Sequence, residues 1–172
     1  MAVLVSGTIS AKGVDRRVLG RKANVVLEAL DLGASELSLS LVDDAEIRRL
    51  NRSWRGKDRP TDVLSFSLRE GEFGRVSSAL GDVVISLETA KRQGGEHGLT
   101  LGEEVNRLLV HGILHLAGYD HEISFREERR MKRKEREMLR RIAEWCMREK
   151  MASQRRSTRP KRRRKDLHVL GR

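Results

Sequence analysis

His111-Gly-Ile-Leu-His-Leu-Ala-Gly-Tyr-Asp-His-Glu122 is the stretch from which the rest of the chain can be read. His111 and His115 are four residues apart, one helical turn, so their side chains point the same way. Gly118 allows a left-handed backbone that ends the helix and folds the chain back, presenting His121 to the same point. Three neutral imidazoles converging in this way fill three positions of a tetrahedral Zn²⁺ and leave the fourth open. That is the pattern of a catalytic zinc site, since structural sites take four protein ligands. Three of the chain's five histidines fall in this one window, whereas isolated surface or core histidines rarely reach ligand spacing with a glycine at the turn.

The spacing is also that of the H-E-x-x-H-x-x-G-x-x-H signature of metzincin proteases. There the Glu after the first His is the general base. Here that position is Gly112, which cannot move a proton. Asp120 and Glu122 are nearby carboxylates, but neither follows the first ligand directly. The ligand frame is therefore protease-like without the protease's acid/base group, which argues against peptide hydrolysis.

Outward from this window, the 172 residues suffice for one domain with a core. The net charge of +11 is unevenly placed: residues 1–123 carry 16 Lys/Arg against 18 Asp/Glu, residues 124–150 carry 11 against 6, and Arg155–Lys165 carries 8 with no acid. A near-neutral body with a basic last third favours a polyanionic partner. A solvated helix face with an appended tail gives the same composition. The single Cys146 excludes an internal disulfide and suits a reducing cytosol. The N-terminus lacks the basic region and apolar run of a signal peptide, and no stretch approaches the ~20 apolar residues of a membrane span. Aromatic residues make up 3%, so nucleic-acid binding is expected to rest mostly on phosphate contacts.

Periodicity supplies the elements. Residues 2–10 alternate loosely, as an edge strand. Asp15–Leu30 has two adjacent apolar rows, as a helix. Leu37, Leu39 and Leu41 alternate with serines, as a half-buried strand. Asp43-x-x-Glu46 has capping-box form and opens a short helix with Ile47 and Leu50 inward. Val63–Ser67 and Asp82–Ser86 read as strands, joined through Arg69–Ala79 as a mobile hairpin loop. Leu87–Gln93 reads as a helix stopped by Gly94-Gly95. Thr100–Glu103 is a second capping box, opening the apolar helix that carries His111 and His115. A last helix over about Ser124–Lys150 has Met131, Met138, Ile142, Trp145 and Cys146 as its apolar stripe. Residues beyond it are nearly devoid of apolar side chains and are expected to be disordered when free.

A second motif, Leu50-Asn-Arg-Ser-Trp-Arg-Gly-Lys-Asp-Arg-Pro-Thr-Asp-Val-Leu-Ser-Phe66, packs Arg55, Lys57 and Arg59 into a loop before a buried strand. Arginine presents a planar, permanently charged fork that matches phosphate oxygens. Together the two motifs resemble the YbeY family of bacterial metal-dependent endoribonucleases. The family's H-G-x-L-H-L-x-G-Y-D-H signature is matched at every fixed position from His111 to His121. Its L-N-x-x-[YF]-R-x-K-D-x-P-T-D-V-L-S-F-P segment is matched from Leu50, with Trp54 where Tyr or Phe is usual and Ser67 where Pro is usual. Leu80–Ser86 resembles a third segment, and the likeness spans about Leu37 to Met147.

The resemblance implies a zincin-like α/β (α+β) fold: a small mixed sheet packed against several helices, the metal-bearing helix at a cleft. It implies residues 1–150 as a single metallo-endoribonuclease domain and 151–172 as a basic tail. The implied function is single-strand-specific endoribonuclease activity in rRNA processing, at the 3′ end of small-subunit (16S) rRNA, and in ribosome quality control. It implies one zinc ion held by His111, His115 and His121, with His111 and Arg55 catalytic and Arg55, Lys57 and Arg59 contacting RNA. Single-stranded rRNA and the small ribosomal subunit or ribosome-associated proteins are the implied partners, in the cytoplasm and without membrane. Asp120 reads either as a hydrogen-bond partner that fixes a ligand imidazole or as a turn residue after Gly118-Tyr119. Water and the substrate's own 2′-OH both remain open as nucleophile. Two alternatives from other classes are an rRNA-binding ribosome assembly factor with little cleavage, which the basic helix and tail also suit, and a metalloprotease, which Gly112 disfavours.

Overall fold

Leucines alternating with serines build the centre of the sheet. In β2 (Glu36–Val42), Leu37, Leu39 and Leu41 are buried on one face, while Ser38 and Ser40 take the other. This computed structural model describes residues 2–69 and 78–157, and within them four strands form one sheet in the order β1-β2-β4-β3. β1 (Ala2–Gly7) and β4 (Ala79–Ser86) flank β2, both parallel to it, and β3 (Val63–Ser67) runs antiparallel to β4 at the edge. A parallel pair needs a crossover, and α1 (Arg16–Ala29) provides the one from β1 to β2. α2 (Asp44–Arg55) and β3 lie in the connection from β2 to β4, followed by α3 (Leu87–Glu96), α4 (Leu101–Leu116) and α5 (Phe125–Ser157).

The sheet is covered on both faces. Leu39, Val83 and Ile85 pack with Leu27 of α1, Leu109 and Ile113 of α4, and Met131, Met138 and Ile142 of α5 in the main core. On the opposite face α2 places Ile47 against Val42, Leu64 and Val84, with Leu50 and Phe66 at the margin. This is the small mixed sheet packed against helices that the resemblance implies, and its main core fixes α4 rigidly on β3 and β4.

Helix starts follow local chemistry. Asp15 accepts the N–H groups of Arg17 and Val18, and Thr100 and Glu103 make both halves of a capping box. At Asp43 only half of the expected box forms. Its carboxylate accepts the Glu46 N–H, but the Glu46 carboxylate turns to Arg49 at 2.6 and 2.9 Å, where charge-assisted bonds are stronger.

Three boundaries differ from expectation. β4 begins at Ala79 rather than Asp82, extended by the pairing of Ala79 with Glu36. α3 continues through Gly94-Gly95 to Glu96. A side chain at Gly94 would come within 3.1 Å of the Leu99 carbonyl oxygen and 3.3 Å of Glu104 Cβ, so that glycine serves close helix packing rather than termination. α5 passes Lys150 and ends at Ser157, because Met151–Arg156 consists largely of good helix formers and no Gly or Pro occurs before Pro160. The first residues assigned to the tail are therefore helical. Most of the Arg69–Ala79 connection (residues 70–77), and the tail from residue 158 on, lie outside the described residues.

Candidate metal centre

α4 brings the first two histidines to the cleft because its opposite face is held against the sheet. Gly112 marks the closest approach: a Cβ there would stand 2.7 Å from Val83 Cγ1 and 3.1 Å from Ser65 Oγ. The position that carries Glu in a metzincin thus has no room for any side chain. α4 ends in a Schellman turn, with Gly118 at φ 89° and the N–H groups of Gly118 and Tyr119 donating to the carbonyls of His115 and Leu114. This reversal returns His121 to the helix end.

The ligand atoms of His111, His115 and His121 all lie within 4.8 Å of one another. His111 Nε2 and His115 Nε2 are 3.1 Å apart. Two nitrogens each about 2.0–2.1 Å from a tetrahedral ion stand roughly 3.3 Å apart, so the pair is spaced for a shared cation. Among the described residues this is the group of three potential ligands that converges on a point, and an all-imidazole set suits a divalent transition ion. Burial, with the neighbouring His111 and His121, holds His115 below the ordinary imidazole range against the opposing pull of Asp120 and Glu122. The neutral, ligating form is therefore favoured near pH 7.

Glu135 of α5 orients the site. Its Oε1 lies 2.7 Å from His111 Nδ1, which assigns the ring proton to Nδ1 and leaves the Nε2 lone pair facing the cleft. Burial pushes Glu135 up, but the bond to His111 and the charges of His111, Arg107 and His121 outweigh it and hold its carboxyl below the ordinary value. Arg107 is itself anchored on the fully buried Glu104, at 2.6 and 3.0 Å. Sequence reasoning missed Glu135, yet a signal exists: it stands four residues after Met131 and three before Met138, a lone carboxylate in the apolar stripe of α5.

Asp120 does not make this contact. Its carboxylate accepts the Glu122 N–H at 2.8 Å, the Asx-turn geometry of a turn residue. Of its two readings the turn is the one observed, and the carboxylate bonded to one of the three imidazoles is Glu135.

The imidazoles open into a cleft of about 730 Å³ walled by β3, by Gly118–Ile123, and by Trp54 and Arg55 at the end of α2. Gly56 caps α2, and Asn51 Nδ2 donates to the Arg59 carbonyl at 2.8 Å, securing the following loop. Lys57 and Arg59 are not among the residues lining the histidine cleft. They line an adjoining pocket of about 270 Å³, which shares Arg55, Thr61 and Asp62 with the cleft. None of Arg55, Lys57 and Arg59 forms an ion pair with the described residues. Their charges face solvent, with Arg55 at the junction. No helix among the described residues is long and apolar enough to cross a membrane.

The sequence model of the endoribonuclease YbeY family matches residues 11–143. Endoribonuclease YbeY of Pelotomaculum thermopropionicum is 51% identical over 150 residues, covering 83% of this chain and 97% of the relative. That of Aquifex aeolicus is 52% identical over 121 residues, 70% of this chain and 79% of the relative. The solution structure of TM1509 from Thermotoga maritima superposes with a TM-score of 0.59 at 28% identity, over 94% of this chain and 99% of that one. The match runs from just before α1 into α5 and takes in both the histidine motif and the Leu50–Phe66 motif, and by it the chain belongs to the endoribonuclease YbeY family.

Proposed function

We propose that this endoribonuclease of rRNA processing cleaves single-stranded RNA in the cleft between α4, β3 and the end of α2. The observation that carries the reading is the convergence on one cleft of three imidazoles and of Arg55, which has no ion-pair partner among the described residues. His111, His115 and His121 hold a metal ion, and three neutral nitrogen donors make zinc the first choice. Bound there, such an ion supplies Lewis-acid polarisation of a phosphoryl oxygen and makes a bound water more acidic. Glu135 keeps the His111 lone pair aimed at the site. The Arg55 fork takes the phosphate oxygens and stabilises the charge that grows on them in the transition state. The proton of the attacking group leaves to an acceptor other than the residue after His111, because that position is Gly112. A water and the substrate's 2′-OH are both compatible nucleophiles.

Lys57 and Arg59, in the adjoining pocket, hold the strand where it leaves the cleft. The 3′ end of small-subunit rRNA, reached within or beside the small ribosomal subunit in the cytoplasm, is the substrate this reading assigns. The binding-only alternative would use the same basic surface but gives the imidazole cluster no task.

The test is cleavage of an end-labelled single-stranded rRNA 3′ fragment, with Arg55→Ala in parallel and metal content measured on both. The expected result is cleavage by the parent and a loss of about a hundredfold to a thousandfold in rate in the variant. Equal cleavage by both removes Arg55 from the site. Absence of cleavage by both, with metal bound, overturns the catalytic reading in favour of an assembly factor.

A further inference from the structure

The chain carries two tryptophans. One, Trp145, lies half-buried beneath the Arg21 guanidinium. The other, Trp54, is 71% exposed. Burial in the core does not explain its place: the buried contributions of α2 are Ile47 and Asn51, and the Trp54 ring meets Phe66 of β3, ring centroids 5.7 Å apart and planes tilted by 58°. That contact braces the indole while leaving most of its surface in solvent. Trp54 lines the histidine cleft, as does Ile123, which is also 71% exposed. Large apolar side chains left open together in a functional cleft mark a binding surface.

The surrounding charge identifies the occupant. Arg55 follows Trp54 directly and lines the same cleft, and Lys57 and Arg59 continue the exposed positive charge next door. An aromatic face beside a track of cations matches a nucleic-acid strand, whose bases offer flat apolar faces and whose phosphates offer regular negative charge. We propose that Trp54 is the stacking platform for one unpaired nucleobase adjacent to the scissile phosphate, with Arg55 on the phosphate itself. The proposal rests on the RNA-cleavage reading and deepens it. It gives single-strand selectivity a physical origin, because a base within a duplex has both faces covered by its neighbours and cannot lie on the indole. It also gives tolerance of base identity with a preference for purines, since stacking strength rather than edge hydrogen bonding sets the order. The low aromatic content of the chain suggested that stacking contributes little; composition does not show that one of the few aromatics stands at the cleft mouth.

The test uses the full chain carrying Trp145→Phe, so that Trp54 is the single indole reporter. It is titrated with a 2′-O-methylated single-stranded oligonucleotide, with the same strand containing an abasic position near the cleavage point, and with the duplex. Saturable quenching of Trp54 by the single strand is expected, and its loss with the abasic strand and the duplex. In cleavage assays Trp54→Ala should raise KM roughly 5- to 150-fold with a smaller change in kcat, and Trp54→Phe should restore most of the loss. Wild-type KM in Trp54→Ala, or emission unchanged on binding, overturns the stacking role while parent cleavage leaves the nuclease reading standing. Failure of the parent to bind or cleave single-stranded RNA overturns both. The quenching measurement keeps Trp54 itself, so it decides the question even if Trp54→Ala does not fold.

Discussion

Glu135 and His111 are 24 residues apart in sequence and 2.7 Å apart in space. An imidazole that donates one N–H to a carboxylate is fixed in tautomer and orientation and is a stronger base at its other nitrogen. Replacing Glu135 by Gln keeps an acceptor and removes the charge. Metal affinity should fall about 10- to 100-fold, read by competition with a chromogenic chelator while the thermal unfolding curve monitors the fold. Unchanged affinity would reduce the contact to packing. The three histidines were legible in the sequence because their convergence needs only a helical turn and a glycine reversal. Glu135 was not, because its partner is supplied by the docking of α5 on α4. Lys57 and Arg59 were legible as free cations, but their separation from the histidine cleft follows from the path of the loop after Gly56, which spacing does not encode.

Among the elements, those defined by periodicity or capping were readable: α1 from its two apolar rows, β2 from its leucines, α4 from Thr100 and Glu103. Those that differ were settled by neighbours. β4 lengthened where β2 offered a partner, and α3 ran through two glycines where α4 came close. One junction invisible in the sequence ties α2 to α3. Asp44 accepts the hydroxyls of Ser86 and Thr89 at 2.6 Å each, and Arg92 Nη1 at 2.8 Å. Partial burial pushes the Asp44 carboxyl up, but these three bonds outweigh it and hold the group below its ordinary 3.8. A carboxyl depressed in the folded state adds stability that is complete above the unfolded value and is lost as pH falls through the folded one. Denaturant unfolding of the parent should therefore show Asp44-dependent stability at pH 7 that fades below about pH 4. In Asp44→Asn that part of the pH dependence should disappear, with about 1.5–3 kcal/mol lost at pH 7. An acid limb identical in both proteins would contradict the assignment.

For the whole molecule, the charge asymmetry read from composition becomes a shape. α5 has 33 residues, so it is about 50 Å long, and it packs on α1 and α4 with its apolar stripe. Several of its charges are paired within the helix, among them Glu127–Arg130 and Lys134–Glu137. What remains is a surplus of arginine, continued by seven Lys/Arg and one acid in residues 158–172. If this surface holds the RNA backbone, log affinity for a single strand falls with log salt at about 0.7 per phosphate neutralised. Removing residues 158–172 should make that slope shallower while leaving cleavage of a short oligonucleotide intact. An unchanged slope would assign the tail another role.

All three imidazoles lie within eleven consecutive positions, His111 to His121. An unfolded chain closes so short a loop at small entropic cost. The denatured state therefore retains part of the chelating power of the native one, and only the share contributed by Glu135 and the buried face of α4 is unique to the fold. A ligand stabilises a protein solely through its preference for the native form. With a metal held there as proposed, saturating metal should accordingly raise the melting temperature by less than the native dissociation constant alone would suggest.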